Sequence, residues 1–365
     1  MPYQSLYLHV PFCAAKCDYC AFYSEPQAPA TLRRQYLDRL GAELGQVGQE
    51  QALASIFFGG GTPTMLPVDE LDELLRMIHM SFHLAADCEW TVESNPDSLT
   101  PEKIEILAQH GVNRVSLGVQ SFLPRLRQTL GRRGEVTGLS DLLARLRACG
   151  IDRQNLDLIF AIPGQSLADW QDDLARAVEL GVEHISAYAL TIEEGTRLAA
   201  DAVVPADDDD FEAMWEASDN LLGKGGLARY EVSNFARPGA ECRHNLSIWH
   251  GATYLGCGPA ATSFDGITRW TQPASLGDWL AGVPPERDVL SARDRACEIL
   301  AFGFRTVCGW QGADFQARTG FASEALRGDE LAELVQQGLL ARYGDRLAPT
   351  ATGLLFNDSV VGALL

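Results

Sequence analysis

The chain has 365 residues, 46% hydrophobic and 21% charged, which suits one large domain plus a small one in an ordinary globular protein. A formal net charge of −20 argues against nucleic acid as a partner, because phosphate recognition needs clustered Lys and Arg. Nine scattered cysteines, the absence of a signal-peptide pattern in residues 1–12 and the lack of any apolar run near the ~20 residues of a membrane span together predict a reducing, cytoplasmic location without a transmembrane segment.

From the N-terminus to about residue 190, short apolar strands alternate with helix-period segments. The strands are expected at Ser5–Val10, Ser55–Phe58, Glu89–Glu93, Arg114–Gly118, Leu156–Phe160 and His184–Ala189. The helices between them are expected at Leu32–Leu44, Glu70–Phe82, Pro101–His110, Leu139–Cys149 and Asp169–Leu180. This repetition implies an α/β fold, a parallel sheet with helices outside; six units make a partial (β/α)6 barrel rather than a closed eight. Residues 191–290 read as irregular structure around one helix, Phe211–Gly223, whose acidic start at Asp207–Asp210 complements the helix dipole. Residues 291–365 read as helices, a hairpin at Gly344-Asp345 and a last helix, a small winged-helix-like module. With seven Arg against nine Asp and Glu, that module is not expected to bind DNA. The implied division is 1–195, 196–290 and 291–365.

Chemistry concentrates where the strands end. Cys13, Cys17 and Cys20 form a C-x3-C-x2-C loop after the first strand. Three thiolates on one loop suit three corners of a [4Fe–4S] cluster and leave one iron open; a zinc site with His9 as fourth ligand is the alternative. Gly59-Gly60-Gly61-Thr62-Pro63 ends the second strand and lets a ligand approach the backbone, with carbonyls free to accept from an ammonium group. Glu93, Gln120 and Asp157 end later strands and offer acceptors for hydroxyl or amide groups. Arg132, or Arg133 beside it, suits a carboxylate. In parallel α/β folds the carboxyl ends of the strands carry the site, so these clusters converge on one mouth.

The motifs Tyr-Leu-His-Val-Pro-Phe-Cys, Gly-Gly-Gly-Thr-Pro-Thr, Gly-Val-Gln-Ser-Phe and Asp-Leu-Ile-Phe-Ala-Ile-Pro-Gly resemble the oxygen-independent coproporphyrinogen III oxidase family of the radical S-adenosylmethionine (SAM) superfamily. The resemblance runs from about residue 5 to residue 360. It implies a [4Fe–4S] cluster on Cys13, Cys17 and Cys20, and SAM contacts from Tyr7, Gly60, Gly61, Thr62, Glu93, Gln120, Arg132 and Asp157. That family divides into oxidases and a haem-chaperone branch. Phe22 stands where the oxidases have a fourth cysteine, and the chain starts twelve residues before Cys13, without their N-terminal extension. His244-Asn245-Leu246-Ser247-Ile248-Trp249 is close to the branch's His-Asn-x-x-Tyr-Trp, with Ile248 in place of the tyrosine. These features imply a haem chaperone that delivers haem to acceptor proteins, membrane-bound respiratory enzymes among them, with the oxidase as the alternative. Haem iron accepts His or Cys; His244 is the candidate ligand, in a cluster with Cys242, His250 and Cys257 beside Trp249 and Tyr254.

Overall fold

Strand residues that alternate between apolar and polar have two faces to satisfy, and here the apolar face meets helices. A computed structural model describes residues 3–132, 136–205 and 207–365. Its frame is six parallel strands: β1 (Ser5–Val10), β2 (Gln49–Gly60), β3 (Phe82–Ser94), β4 (Arg114–Gln120), β5 (Arg153–Phe160) and β6 (His184–Ala189), side by side in chain order. Between them run α1 (Ala30–Val47), α2 (Val68–Ser81), α3 (Pro101–Gln109), α4 (Leu139–Ala148) and α5 (Leu167–Glu179). Thr100 and Ser166 start α3 and α5 as side-chain caps, accepting from the N–H groups of Lys103 and Asp169. Leu6, Leu8, Ile56, Phe58, Trp90, Val92, Leu117 and Leu156 are buried against the helices. The other face turns Ser5, Tyr7, His9, Phe57, Glu89, Glu93, Ser116, Asn155 and Asp157 into the barrel's interior, which is therefore polar.

The expectation of irregular structure over 191–290 is overturned. After α6 (Asp208–Lys224), strands β7 (Ala228–Arg229) and β8 (Asn234–Ala236) extend the sheet antiparallel from β6. Beyond them α7 (Arg243–Trp249) lies across the amino ends of the barrel strands, where its residues meet Ser5 and Ser55. On the other side β9 (Tyr254–Cys257) pairs parallel to β1, followed by antiparallel β10 (Thr262–Phe264), β11 (Thr268–Thr271) and β12 (Glu286–Val289). Among the described residues this makes one open sheet of twelve strands. The acidic run starts α6, with the Asp207 carboxylate accepting from the Asp210 N–H at 2.8 Å.

The C-terminal module opens with α8 (Ala292–Gly303), continues through helices Gly312–Thr319 and Ser323–Gln336, and turns a hairpin of Leu340–Tyr343 with Arg346–Pro349. Gly344 takes φ +65° at that turn, a conformation that favours glycine. Two short helices, Ala351–Leu355 and Asn357–Leu364, close the chain where one was expected. The module has its own core around Leu300, Phe304, Phe315, Leu334 and Val360.

Candidate functional site

The cysteine loop leaves β1 at Val10 and is tied to the mouth by its backbone. Asp18 N–H donates to the Leu130 carbonyl at 3.0 Å, Leu198 N–H donates to the Asp18 carbonyl at 3.0 Å, and Gln27 N–H donates to the Cys13 carbonyl at 2.9 Å. Cys13, Cys17 and Cys20 are half-buried and unpaired by disulfides. Burial raises the Cys13 and Cys20 thiols above their ordinary range, opposed at Cys13 by the Thr62 hydroxyl and at Cys20 by the Phe22 N–H. Among the described residues no three His, Cys, Asp or Glu side chains close to the spacing of a single metal ion. His9 does not serve as a fourth zinc ligand in this arrangement: its ring lies 3.2 Å from the Tyr7 hydroxyl and 3.1 Å from the Tyr23 carbonyl, engaging both nitrogens.

The glycine run passes directly over His9. Gly60 adopts φ +103°, and a Cβ there would lie 2.5 Å from the His9 ring. A Cβ on Gly61 would lie 2.7 Å from the Phe12 carbonyl. Only glycines let β2 turn across the mouth at this distance. Thr62, buried, accepts from the Asn95 amide at 3.1 Å, joining the ends of β2 and β3.

Two of the interior carboxyl groups, Glu93 and Asp157, lie toward the mouth. Burial, with the Asp157 charge adding, pushes Glu93 up to about 8, while the Gly60 N–H opposes the shift. Asp157 is also raised by burial, although Ser116 donates to it at 2.9 Å and Asn155 at 2.8 Å. Gln120 follows a register irregularity between β4 and β5 and takes φ +68°, a strained conformation for a non-glycine residue. Its loop is fixed by buried Asp173, which accepts from the Ser121 hydroxyl at 2.6 Å and the Phe122 N–H at 2.7 Å. Arg132 reaches in from the loop after β4 and donates to Asn95 at 2.9 Å and to the Gly118 carbonyl at 2.7 Å. Among the described residues its Nε is buried without a hydrogen-bond partner, while the guanidinium also faces Tyr19 and Cys17. The alternative candidate, Arg133, lies outside the described residues. Tyr7, Gly60, Gly61, Thr62, Glu93, Gln120, Arg132 and Asp157 thus share the mouth or upper interior with the cysteine loop.

His244 is elsewhere. It sits in the first turn of α7, at the amino ends of the strands, 3% exposed, its Nδ1 2.9 Å from the Ser55 hydroxyl. Ser55 pairs with Ser5 at the start of β1. Five residues at ~3.3 Å each place it roughly 16 Å along the barrel from the cysteine end of that strand. Burial lowers the His244 imidazole to about 4, so the ring is neutral. It lies 5.3 Å from the Phe57 ring, which in turn stacks at 6.3 Å on Tyr7. Below this column Glu89, fully buried, accepts from the His244 N–H at 3.0 Å and Arg153 at 3.0 Å, with the buried Arg114 guanidinium 3.9 Å away. Cys242 and Cys257 are sealed inside, and burial pushes the Cys242 thiol up to about 12. Sequence spacing grouped these two cysteines with His244 and His250; the fold keeps Cys242 beside His244, its thiol 3.6 Å from the Glu89 oxygen that accepts from the His244 N–H, but takes His250 elsewhere. It brings His250 instead to Cys308, 58 positions on, a neighbour that no local motif announces.

A cysteine loop with a polar mouth on an open parallel (β/α)6 barrel defines a radical SAM protein, and residues 7–177 match the radical SAM superfamily. Residues 290–356 match the HemN C-terminal domain. The solved coproporphyrinogen III oxidase HemN of Escherichia coli superposes with a TM-score of 0.87, over 99% of this chain and 89% of that one; at 22% identity this establishes the shared fold. The chain belongs to the haem chaperone HemW family. It is 37% identical to the Mycobacterium tuberculosis protein of that name over all of this chain and 96% of the relative. It is 34% identical to the Escherichia coli one over all of this chain and 99% of the relative.

Proposed function

We propose that this protein holds a [4Fe–4S] cluster on Cys13, Cys17 and Cys20, binds SAM beside it, and carries haem to haem-dependent proteins. The observation that carries the reading is the end-to-end likeness to proteins named haem chaperone HemW. The donor set supports the cofactors: three half-buried thiols on one anchored loop, a glycine cradle that any Cβ would fill, and the partnerless Nε of Arg132. When bound, the cluster supplies an open iron that chelates the amino and carboxylate groups of SAM. Arg132 would face the SAM carboxylate, the Gly60–Thr62 backbone its ammonium, and Asp157, Glu93 and Gln120 its hydroxyl and amide groups, while Tyr7 lines the interior. Glu93, held protonated at neutral pH, donates as well as accepts.

The acceptors are haem proteins of the cytoplasm and of the respiratory membrane. Among the described residues no helix is long and apolar enough to cross a membrane. Anaerobically reconstituted protein titrated with haem is expected to develop a shifted Soret band, and to pass haem to an apo-acceptor. No spectral shift would remove the carrier reading. Conversion of coproporphyrinogen III to protoporphyrinogen with release of 5′-deoxyadenosine would replace it with the oxidase.

A further inference from the structure

His250 caps the end of α7, half-buried, and its Nδ1–H donates to the Leu246 carbonyl at 2.9 Å. That bond fixes the tautomer and turns the Nε2 lone pair toward the Cys308 sulfur, 3.9 Å away. The Thr306 hydroxyl lies 3.2 Å from the same sulfur. Cys308 is the one exposed cysteine of the nine. An imidazole and a hydroxyl aimed at an accessible thiol favour its thiolate, the form that binds iron.

The surroundings suit the edge of a flat, apolar ligand, with one ion pair, Arg269 and Glu298, and the C-terminal Leu365 also in the lining. A pocket of about 270 Å³ opens between α7 and α8, walled by Trp249, Tyr254, Phe264 and Phe302. The pocket and the thiol are joined through one strip of structure. The His250 ring lies 5.0 Å from Trp310, whose indole N–H donates to the carbonyl of Ile299, a residue of the pocket wall. Two guanidinium groups border this strip: Arg295 lines the pocket, and Arg305 lies 4.6 Å over the Trp249 ring. Among the described residues the Nε atoms of both are buried without a hydrogen-bond partner, while Arg295 Nη2 donates to the Arg318 carbonyl at 3.5 Å.

We infer that haem docks on this seam between α7 and the C-terminal module, with the Cys308 sulfur as axial ligand to iron, an edge of the porphyrin in the aromatic pocket, and its propionates on Arg295 and Arg305. The inference rests on the haem-carrier reading and gives that cargo its place. Thiolate is an established haem ligand, and arginine pairs with carboxylates in bidentate fashion. On binding, the thiol gives its proton to His250 as the sulfur–iron bond forms, so charge balances within the pair. His250 is a positioning residue that acts through Cys308. The pocket is smaller than those of roughly 300 Å³ and upward that enclose small molecules, so most of the macrocycle stays against solvent. A site that holds haem by one bond and one edge can also release it. His244, by contrast, is covered by α7 and its Glu89 contact, and would reach iron only after that helix lifted.

The test uses the full-length protein reconstituted with its cluster and loaded with haem. The ferrous–CO complex should show the red-shifted Soret band of thiolate ligation. Cys308→Ala and Cys308→Ser should abolish that band and raise the haem Kd roughly 10–100-fold, the range for disrupted metal sites. Mass mapping after iodoacetamide should find Cys308 labelled without haem and protected with it. Haem bound with an unchanged spectrum in Cys308→Ala, or lost only in His244→Ala, would overturn this site and leave the carrier reading standing. Failure of the parent protein to bind haem at all would overturn both.

Discussion

Replacing Glu89 with alanine should cost the fold about 4 kcal/mol, and the structure says which contact sets that figure. Glu89 is fully buried at the floor of the barrel and meets four groups: Arg153 at 3.0 Å, Arg114 at 3.9 Å, the His244 N–H at 3.0 Å and the Cys242 thiol at 3.6 Å. Arg153 is 36% exposed and can turn to solvent, so its share is small. Arg114 is 2% exposed and has nowhere to go; it keeps the Ala240 carbonyl at 2.9 Å, which accepts a hydrogen bond but carries no charge. Stripping one member from a buried ion pair costs about 3–5 kcal/mol, because the remaining charge is uncompensated. The freed His244 amide overlaps with that term rather than adding a full ~1 kcal/mol. Against a typical net stability of roughly 5–15 kcal/mol the loss is large. Urea unfolding followed by circular dichroism measures it as a lower midpoint at unchanged slope. Glu89→Gln, which keeps hydrogen bonds but not charge, should lose less. Joining Glu89→Leu to Arg114→Met should recover most of the stability. A loss below about 1 kcal/mol in Glu89→Ala would refute the view that Arg114 depends on this carboxylate.

Three further outcomes follow from the mouth. Gly60→Ala forces a side chain into φ +103° and against the His9 ring; strain of about 1–3 kcal/mol should lower stability and weaken SAM binding, and equal affinity by calorimetry would count against the cradle. Glu93 keeps its proton in the folded chain between its ordinary 4.5 and about 8, where the unfolded chain has lost it. Stability of the cofactor-free protein should therefore fall as pH rises through that window, and Glu93→Gln should flatten the slope seen in urea midpoints; a profile identical to the parent's would remove Glu93 as the cause. Cys17→Ala leaves two thiolates, so most of the ~400 nm absorbance of reconstituted protein should vanish, and undiminished iron content would place the cluster elsewhere.

The barrel was legible because its strands are apolar runs with polar strand ends, and its helices carry a clean 3.6-residue period. Ser5–Val10 and His184–Ala189 fall where they were expected, and β2 to β5 are longer than expected mainly at their less apolar ends. The strands β7 to β12 were not legible. They have two to four residues each, too few to show alternation, and Glu286–Val289 is exposed along its whole length. The mouth residues could be gathered because parallel topology sends every strand end to one place. The surroundings of His244 could not: its neighbours Arg243, Asn245 and Ser247 are polar, the pattern of a surface turn, yet α7 seals the ring beneath the sheet. Cys308 lay outside every motif, and only the docking of the C-terminal module brings it to His250.

The pile of rings from Tyr7 through Phe57 to His244 has a mechanical consequence. It links the two ends of the barrel by direct aromatic contact, with spacings of 6.3 and 5.3 Å that leave no room for slack. A small molecule that displaces the Tyr7 ring is therefore expected to disturb Phe57 and, through it, the packing of the His244 helix.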